Sequence, residues 1–177
     1  MTDLLDYAQI EEGMLNLEKS AFSFHNVLND VYLMFKRHAE IEGKKLIYRV
    51  SKSVPPFIVG DQMRLKQVMI NLINNALKFT NQNGFVKINA TYLKRDSRIL
   101  VKIQDTGIGI SKSDQQRLFK KFGKLKDACK MNNRGVGLGL IICQHLCWRH
   151  GGKIWLSSRE LEGSVFSFTM VMPPADD

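Results

Sequence analysis

Three short segments hold residues whose types and spacing could do chemistry. Asn71, Asn75 and Lys78 lie four and three residues apart. On a helix turning about 100° per residue they fall within an arc of about 60° and share one polar stripe. An amide carbonyl there is a hard oxygen donor suited to a divalent cation, and a lysine is a point charge suited to phosphate. The same stripe would also serve as a solvated helix face. The second segment is Asp105-Thr106-Gly107-Ile108-Gly109-Ile110, at the end of an apolar run. Its carboxylate can accept a hydrogen bond from an exocyclic amine, and its glycines would let a flat ring approach the backbone. A tight turn is the plainer alternative. The third segment, Gly135-Val136-Gly137-Leu138-Gly139-Leu140, precedes an apolar helix-like stretch. Glycines at a helix N-terminus expose amide donors where the helix dipole is positive, an arrangement that binds phosphate oxygens. The G-x-G-x-G spacing matches neither a Walker loop nor a dinucleotide fingerprint.

Hydrophobic periodicity supplies the elements that must position these segments. Residues 1–12 read as a short helix, with Leu4, Leu5, Ala8 and Ile10 near a helical period and Gly13 as its stop. Ser23 can N-cap a second helix carrying Phe24, Val27, Leu28, Val31, Met34 and Phe35 and ending near Gly43. A strand follows at 46–50. Pro55 and Pro56 break the chain before 57–59, and Gly60 with Asp61 opens a long helix to about Phe79 whose apolar face includes Leu65, Met69, Leu72 and Ile73. Strands at 85–92 and 98–104 form a hairpin through the polar turn 94–97. A polar, basic stretch then leads to a helix at about 137–149, stopped by Gly151 and Gly152, and strands at 153–158 and 164–172 end the order. Helices interleaved with hairpin-forming strands predict an α/β fold, a two-layer sandwich in which helices cover one face of a mixed sheet.

At 177 residues, 44% hydrophobic and 24% charged, the chain can bury a core and has neither a disordered nor a collagen-like composition. No apolar run nears the roughly 18 residues of a membrane span, and the first residues lack signal-peptide regions, so a soluble, cytoplasmic domain is expected. Cys129, Cys143 and Cys147 give no secreted disulfide framework. Cys143 and Cys147, with His145 and His150 nearby, raise a zinc site, but four ligands would have to converge from one short helix, and buried small side chains are the plainer reading. Lys plus Arg exceed Asp plus Glu by 26 to 17, a net charge of +9 that favours polyanionic partners. Nucleic acid is disfavoured because the charge gathers beside glycine loops instead of alternating with aromatics.

Taken together the three segments resemble the motifs of sensor histidine kinases. Asn71-Leu-Ile-Asn-Asn75-Ala-Leu-Lys78-Phe79-Thr80 is similar to the N box, Asp105 to Ile110 to the first glycine box, and Gly135 to Leu140 to the second, in the family's order and spacing. Phe119 and Phe122 resemble the intervening F box, with Lys120 and Lys121 where acidic and proline residues are often found. The resemblance is dense over 60–172 and thinner over 1–59, where Asp3 to Leu17 resembles the tail of the second dimerisation helix. It implies the Bergerat ATP-binding fold of the GHKL superfamily, shared with gyrase B, MutL and the large heat-shock chaperones. It also implies that residues 1–17 end a dimerisation and acceptor-bearing helix and that 18–174 form the catalytic ATP-binding domain, with an ATP lid at about 111–134. In that fold the position of Asn75 holds Mg²⁺, Lys78 reaches phosphate and Asp105 reads the adenine amine. Asn71 would orient a metal-bound water or a phosphate oxygen. Phe79, Gly107, Gly109, Ile110, Phe122, Gly135, Val136, Gly137, Leu138, Gly139 and Leu140 would complete the ATP site. The lid would carry eight Lys plus Arg against Asp114 and Asp127, and Arg134, beside the glycines, would contact the γ-phosphate.

Hydrolases of this superfamily keep a glutamate four residues before the metal-binding Asn, and here that position is Asn71. An amide cannot take a proton at neutral pH, so the site is built to hold ATP for transfer. None of His25, His38, His145 and His150 resembles an acceptor box, in which an acidic residue and soon a proline follow the histidine. The expected function is transfer of the γ-phosphoryl group to a histidine on a separate helical domain of a homodimeric parent, in two-component signalling, with a response-regulator receiver as the next partner. A nucleotide-binding regulatory module without kinase activity is the alternative.

Overall fold

Both periodicities find their partners in the computed structural model, which describes residues 8, 10, 12, 16–119 and 138–175. The elements run β1 (Ser20–Phe22), α1 (Phe24–Ile41), β2 (Lys45–Val50), β3 (Ile58–Gly60), α2 (Gln62–Phe79), β4 (Phe85–Leu93), β5 (Arg98–Asp105), α3 (Lys112–Gln115), α4 (Gly139–Arg149), β6 (Lys153–Arg159) and β7 (Gly163–Val171). Local chemistry sets their ends. The Ser23 hydroxyl accepts the Asn26 amide at the start of α1, and the Asp61 carboxylate accepts the Arg64 amide at 3.0 Å at the start of α2. Gly43 and Gly151, both at φ +65°, turn the chain after α1 and α4.

Five strands form the main sheet in the order β2-β4-β5-β7-β6. The β2–β4 pair is parallel and the other pairs are antiparallel, so the sheet is mixed as the element order predicts. Alternation decides which face is covered. Val86, Ile88 and Ala90 of β4, Ile99, Val101 and Ile103 of β5, and Phe166, Phe168 and Met170 of β7 are buried and share one side through the strand register. Helices α1, α2 and α4 supply the other half of this core through Leu28, Val31, Leu72, Ile73, Ile142 and Leu146. Full burial of such side chains stabilises by about 1.5–3 kcal/mol each, which makes this layer the main reason the sheet holds together. Cys143 and Cys147 belong to the same core, and burial pushes the Cys147 thiol up to about 12.

Two elements are too short for any pattern to announce. Strand β1 pairs antiparallel with β3 in a separate two-stranded sheet, and α3 is a single turn capped by Ser111. Beside β1, the buried Asp61 carboxylate accepts the backbone amide of Glu18 at 2.9 Å, fastening the segment that enters the domain to the start of α2. Ala8 and Ile10 are helical and Ile10 is buried; the remainder of the expected N-terminal helix lies outside the described residues.

Candidate functional site

Helix α2 is the common spine of the site. Its core face buries Leu65, Val68, Met69, Leu72, Ile73, Ala76 and Leu77, which leaves Asn71, Asn75 and Lys78 half-buried on the flank, as the helical period requires. The Asn75 side-chain amide donates to the Asn71 carbonyl at 3.3 Å, so the Asn75 carbonyl oxygen is left without a partner among the described residues. The Lys78 ammonium stands 5.5 Å from the centroid of the Phe79 ring.

The start of α4 meets this flank. A Cβ placed on Gly139 would lie 2.3 Å from the Asn71 side-chain nitrogen and 2.8 Å from its oxygen. A side chain at 139 would have to displace the Asn71 amide from its place against the helix, and this contact brings the first and third segments together. Leu138 is buried and Leu140 packs partly against the core, which fixes the helix start in place.

The second segment joins the other end of α2. Ile108 donates its amide to the Phe79 carbonyl at 3.2 Å, and a Cβ on Gly107 would sit 2.2 Å from that same oxygen. Gly109 has φ +67°, and a Cβ there would sit 1.9 Å from the Arg159 carbonyl. The space at both glycines is thus taken by the chain's own backbone, a stronger demand than the approach of a ring. Gly109→Ala is expected to lower stability by more than the roughly 1–2 kcal/mol of the left-handed conformation alone, because the clash adds to it. Chemical denaturation of the variant checks this; unchanged stability would contradict it.

Asp105 ends β5 on the inward row of Ile99, Val101 and Ile103, so the strand period itself carries the carboxylate under the helices. It is 5% exposed and accepts the Gly107 amide at 2.8 Å. Burial raises its pKa from the ordinary value, opposed by the hydrogen bonds from the Gly107 and Ser164 backbone. A desolvated carboxylate with its charge incompletely compensated suits a further donor. Two supports were not visible in the motifs. Ser158 accepts the Ile110 amide at 2.9 Å and pairs with Ser164 at 3.0 Å, and Gly163 at φ +99° passes within contact of the Asp105 carbonyl. Their one sequence signal was the turn between two strands.

Phe119 packs against the core. Phe122, Arg134, Gly135, Val136, Gly137 and most of the expected lid at 111–134 lie outside the described residues.

The family model described as histidine kinase-, DNA gyrase B- and HSP90-like ATPase matches residues 60–174, which spans all three segments. The chain belongs to this family. Among curated relatives it is 36% identical over 171 residues to the signal transduction histidine-protein kinase BarA of Escherichia coli, covering 95% of this chain and 18% of BarA. It is 34% identical over 179 residues to the sensor histidine kinase GacS of Pseudomonas protegens, covering 100% of this chain and 20% of GacS. The chain thus spans about a fifth of these relatives' length. Among solved structures, full-length ShkA in complex with AMPPNP superposes with a TM-score of 0.87 at 27% identity, over 99% of this chain and 36% of ShkA. The nucleotide-free catalytic domain of the histidine kinase ThkA gives 0.74 at 28% identity, over 87% of this chain and 95% of that domain. This chain is therefore an ATP-binding catalytic domain of the histidine kinase type, and its mixed sheet under a helical layer is that domain's fold. Among the described residues no helix is long and apolar enough to cross a membrane.

Proposed function

We propose that the chain holds Mg-ATP and presents its γ-phosphoryl group to a histidine on a separate helical domain of its parent. One observation carries the reading: the Asn71 amide, hydrogen-bonded to Asn75, lies against the start of α4 at Gly139, so the flank read as metal-binding meets the helix start read as phosphate-binding. The Asn75 carbonyl, without a partner among the described residues, is the hard oxygen a Mg²⁺ ion would take, so the donor set fits the ion. Bound there, the metal would neutralise phosphate charge. Asn71 orients a phosphate oxygen or water, Lys78 adds a positive charge, and Asp105 accepts the adenine amine. Phe79, Ile110, Leu138 and Leu140 would line the site, and Arg134 is the residue we assign to the γ-phosphate. Transfer needs little covalent chemistry from such a domain beyond alignment and charge neutralisation.

Residues 1–17 are proposed to end the dimerisation helix and 18–174 to form the catalytic unit, cytoplasmic and part of a homodimeric parent. ShkA was solved with AMPPNP, and ThkA with the response regulator protein TrrA; both support an adenine nucleotide here and a receiver domain downstream. The presence of Asn71, an amide, where the family's hydrolases keep a glutamate supports transfer over hydrolysis. The pure chain is accordingly expected to release phosphate from ATP far below the roughly 10 per second of a median enzyme. A phosphate-release assay reading near that rate would overturn the transfer reading.

A further inference from the structure

We propose that the uncovered face of the main sheet is a docking surface for anionic lipid headgroups. The strand register puts Arg49 of β2, Lys87 of β4, Arg98 and Lys102 of β5, and Lys153 of β6 on the side away from the helices. At these strand positions there is no carboxylate: the only acidic residue in the five strands, Asp105, points into the core. Carboxylates occur only at the rim, as Asp96 in the β4–β5 turn and Glu160 and Glu162 in the β6–β7 turn. Lys45 of β2 and Arg159 of β6 share this side; Glu162 lies 3.6 Å from Arg159, and none of the other six cations on the face has an ion pair among the described residues.

Strands about 4.8 Å apart spread these charges over a pleated surface about 20 Å wide. Trp155 on β6, 36% exposed with the Lys153 ammonium 5.3 Å from its ring, stands at one edge, and Ile47, 46% exposed, at the other. Protein interfaces are depleted in lysine, and single-stranded nucleic acid favours several stacking aromatics, whereas this face offers four lysines and one exposed tryptophan. A lipid surface requires only dispersed positive charge, and an indole suits the headgroup boundary. Because Asp105 and the asparagine flank lie on the helical side, docking would leave the nucleotide site uncovered.

The test uses the 177-residue chain and sedimentation with vesicles of phosphatidylglycerol and phosphatidylcholine mixed one to two, with pure phosphatidylcholine as reference. Binding to the mixed vesicles alone is expected, weakening as salt rises. Lys87→Gln with Lys102→Gln should lower partitioning roughly twenty-five-fold, from about fivefold per neutralised cation. Lys36→Gln with Arg37→Gln, on exposed α1, should change it little. In a Trp148→Phe background, the fluorescence of Trp155 should shift to the blue on the mixed vesicles. Equal melting temperatures confirm that both pairs fold; if the sheet pair does not, Lys102→Gln alone repeats the comparison. Failure to bind mixed vesicles, equal loss in the two pairs, or an unmoved Trp155 signal overturns the proposal. Tighter binding to a single-stranded oligonucleotide than to the vesicles, lost in the sheet pair, also overturns it and assigns the face to nucleic acid.

Discussion

Asp105→Asn lowers the affinity for ATP roughly ten- to hundredfold while the fold persists. The expected loss is that of one charge-assisted hydrogen bond from a buried acceptor, about 1.5–3 kcal/mol. The fold persists because the asparagine carbonyl can still accept the Gly107 amide, and because the charge that burial disfavours is gone. The pH dependence has a definite sign. Burial raises the pKa of Asp105 in the nucleotide-free protein, and an adenine amine favours the ionised form. Affinity in the parent is therefore level above that raised pKa and falls as pH drops through it, and the variant lacks this fall. For stability the sign is opposite. The ionised carboxylate weighs against the folded state above the ordinary Asp pKa, and that penalty is relieved as pH falls. Calorimetric titration with ATP at several pH values, beside melting curves, checks both. Equal ATP affinity in the folded variant would contradict the adenine role of Asp105.

Asn75→Ala removes the Mg²⁺ dependence of ATP binding and weakens Mg-ATP binding roughly tenfold or more, a loss of the size seen when groups around a metal are removed. The change deletes the Asn75 carbonyl and also the amide that donates to Asn71 at 3.3 Å. Asn71→Ala separates the two contributions, since it leaves the Asn75 carbonyl in place and should retain a Mg²⁺ effect on binding. Titrations with and without Mg²⁺ read this directly. Undiminished Mg-ATP binding by Asn75→Ala would remove the metal-holding role from that residue.

Much of this was legible in the chain because it is written in local periods. The 3.6-residue period sets Asn71, Asn75 and Lys78 on one flank of α2, and the two-residue period carries Asp105 inward with Ile99, Val101 and Ile103. Ser23 and Asp61 mark helix starts by their capping chemistry. What could not be read depends on contacts between distant segments. Nothing near Gly139 announces that the Asn71 amide rests against it, and the closeness of Gly109 to the Arg159 carbonyl arises from packing across 50 residues. Strand β1 exists through its pairing with β3, since three residues carry no period of their own. The uncovered sheet face was likewise invisible as a unit, because its cations come from four strands dispersed along the sequence and only the register sets them side by side.

Phosphoryl transfer in trans tests the central claim most directly. The chain is incubated with γ-labelled ATP and Mg²⁺, alone and with a histidine-bearing helical acceptor domain, and acid-labile, base-stable label is followed on each protein. Label is expected on the acceptor domain and none retained on the chain, since His25, His38, His145 and His150 all lack an acceptor context. Stable label on His25 or His38, or a chain that binds ATP yet transfers to no acceptor, would contradict it, and the second result would leave a nucleotide-binding regulatory module in its place.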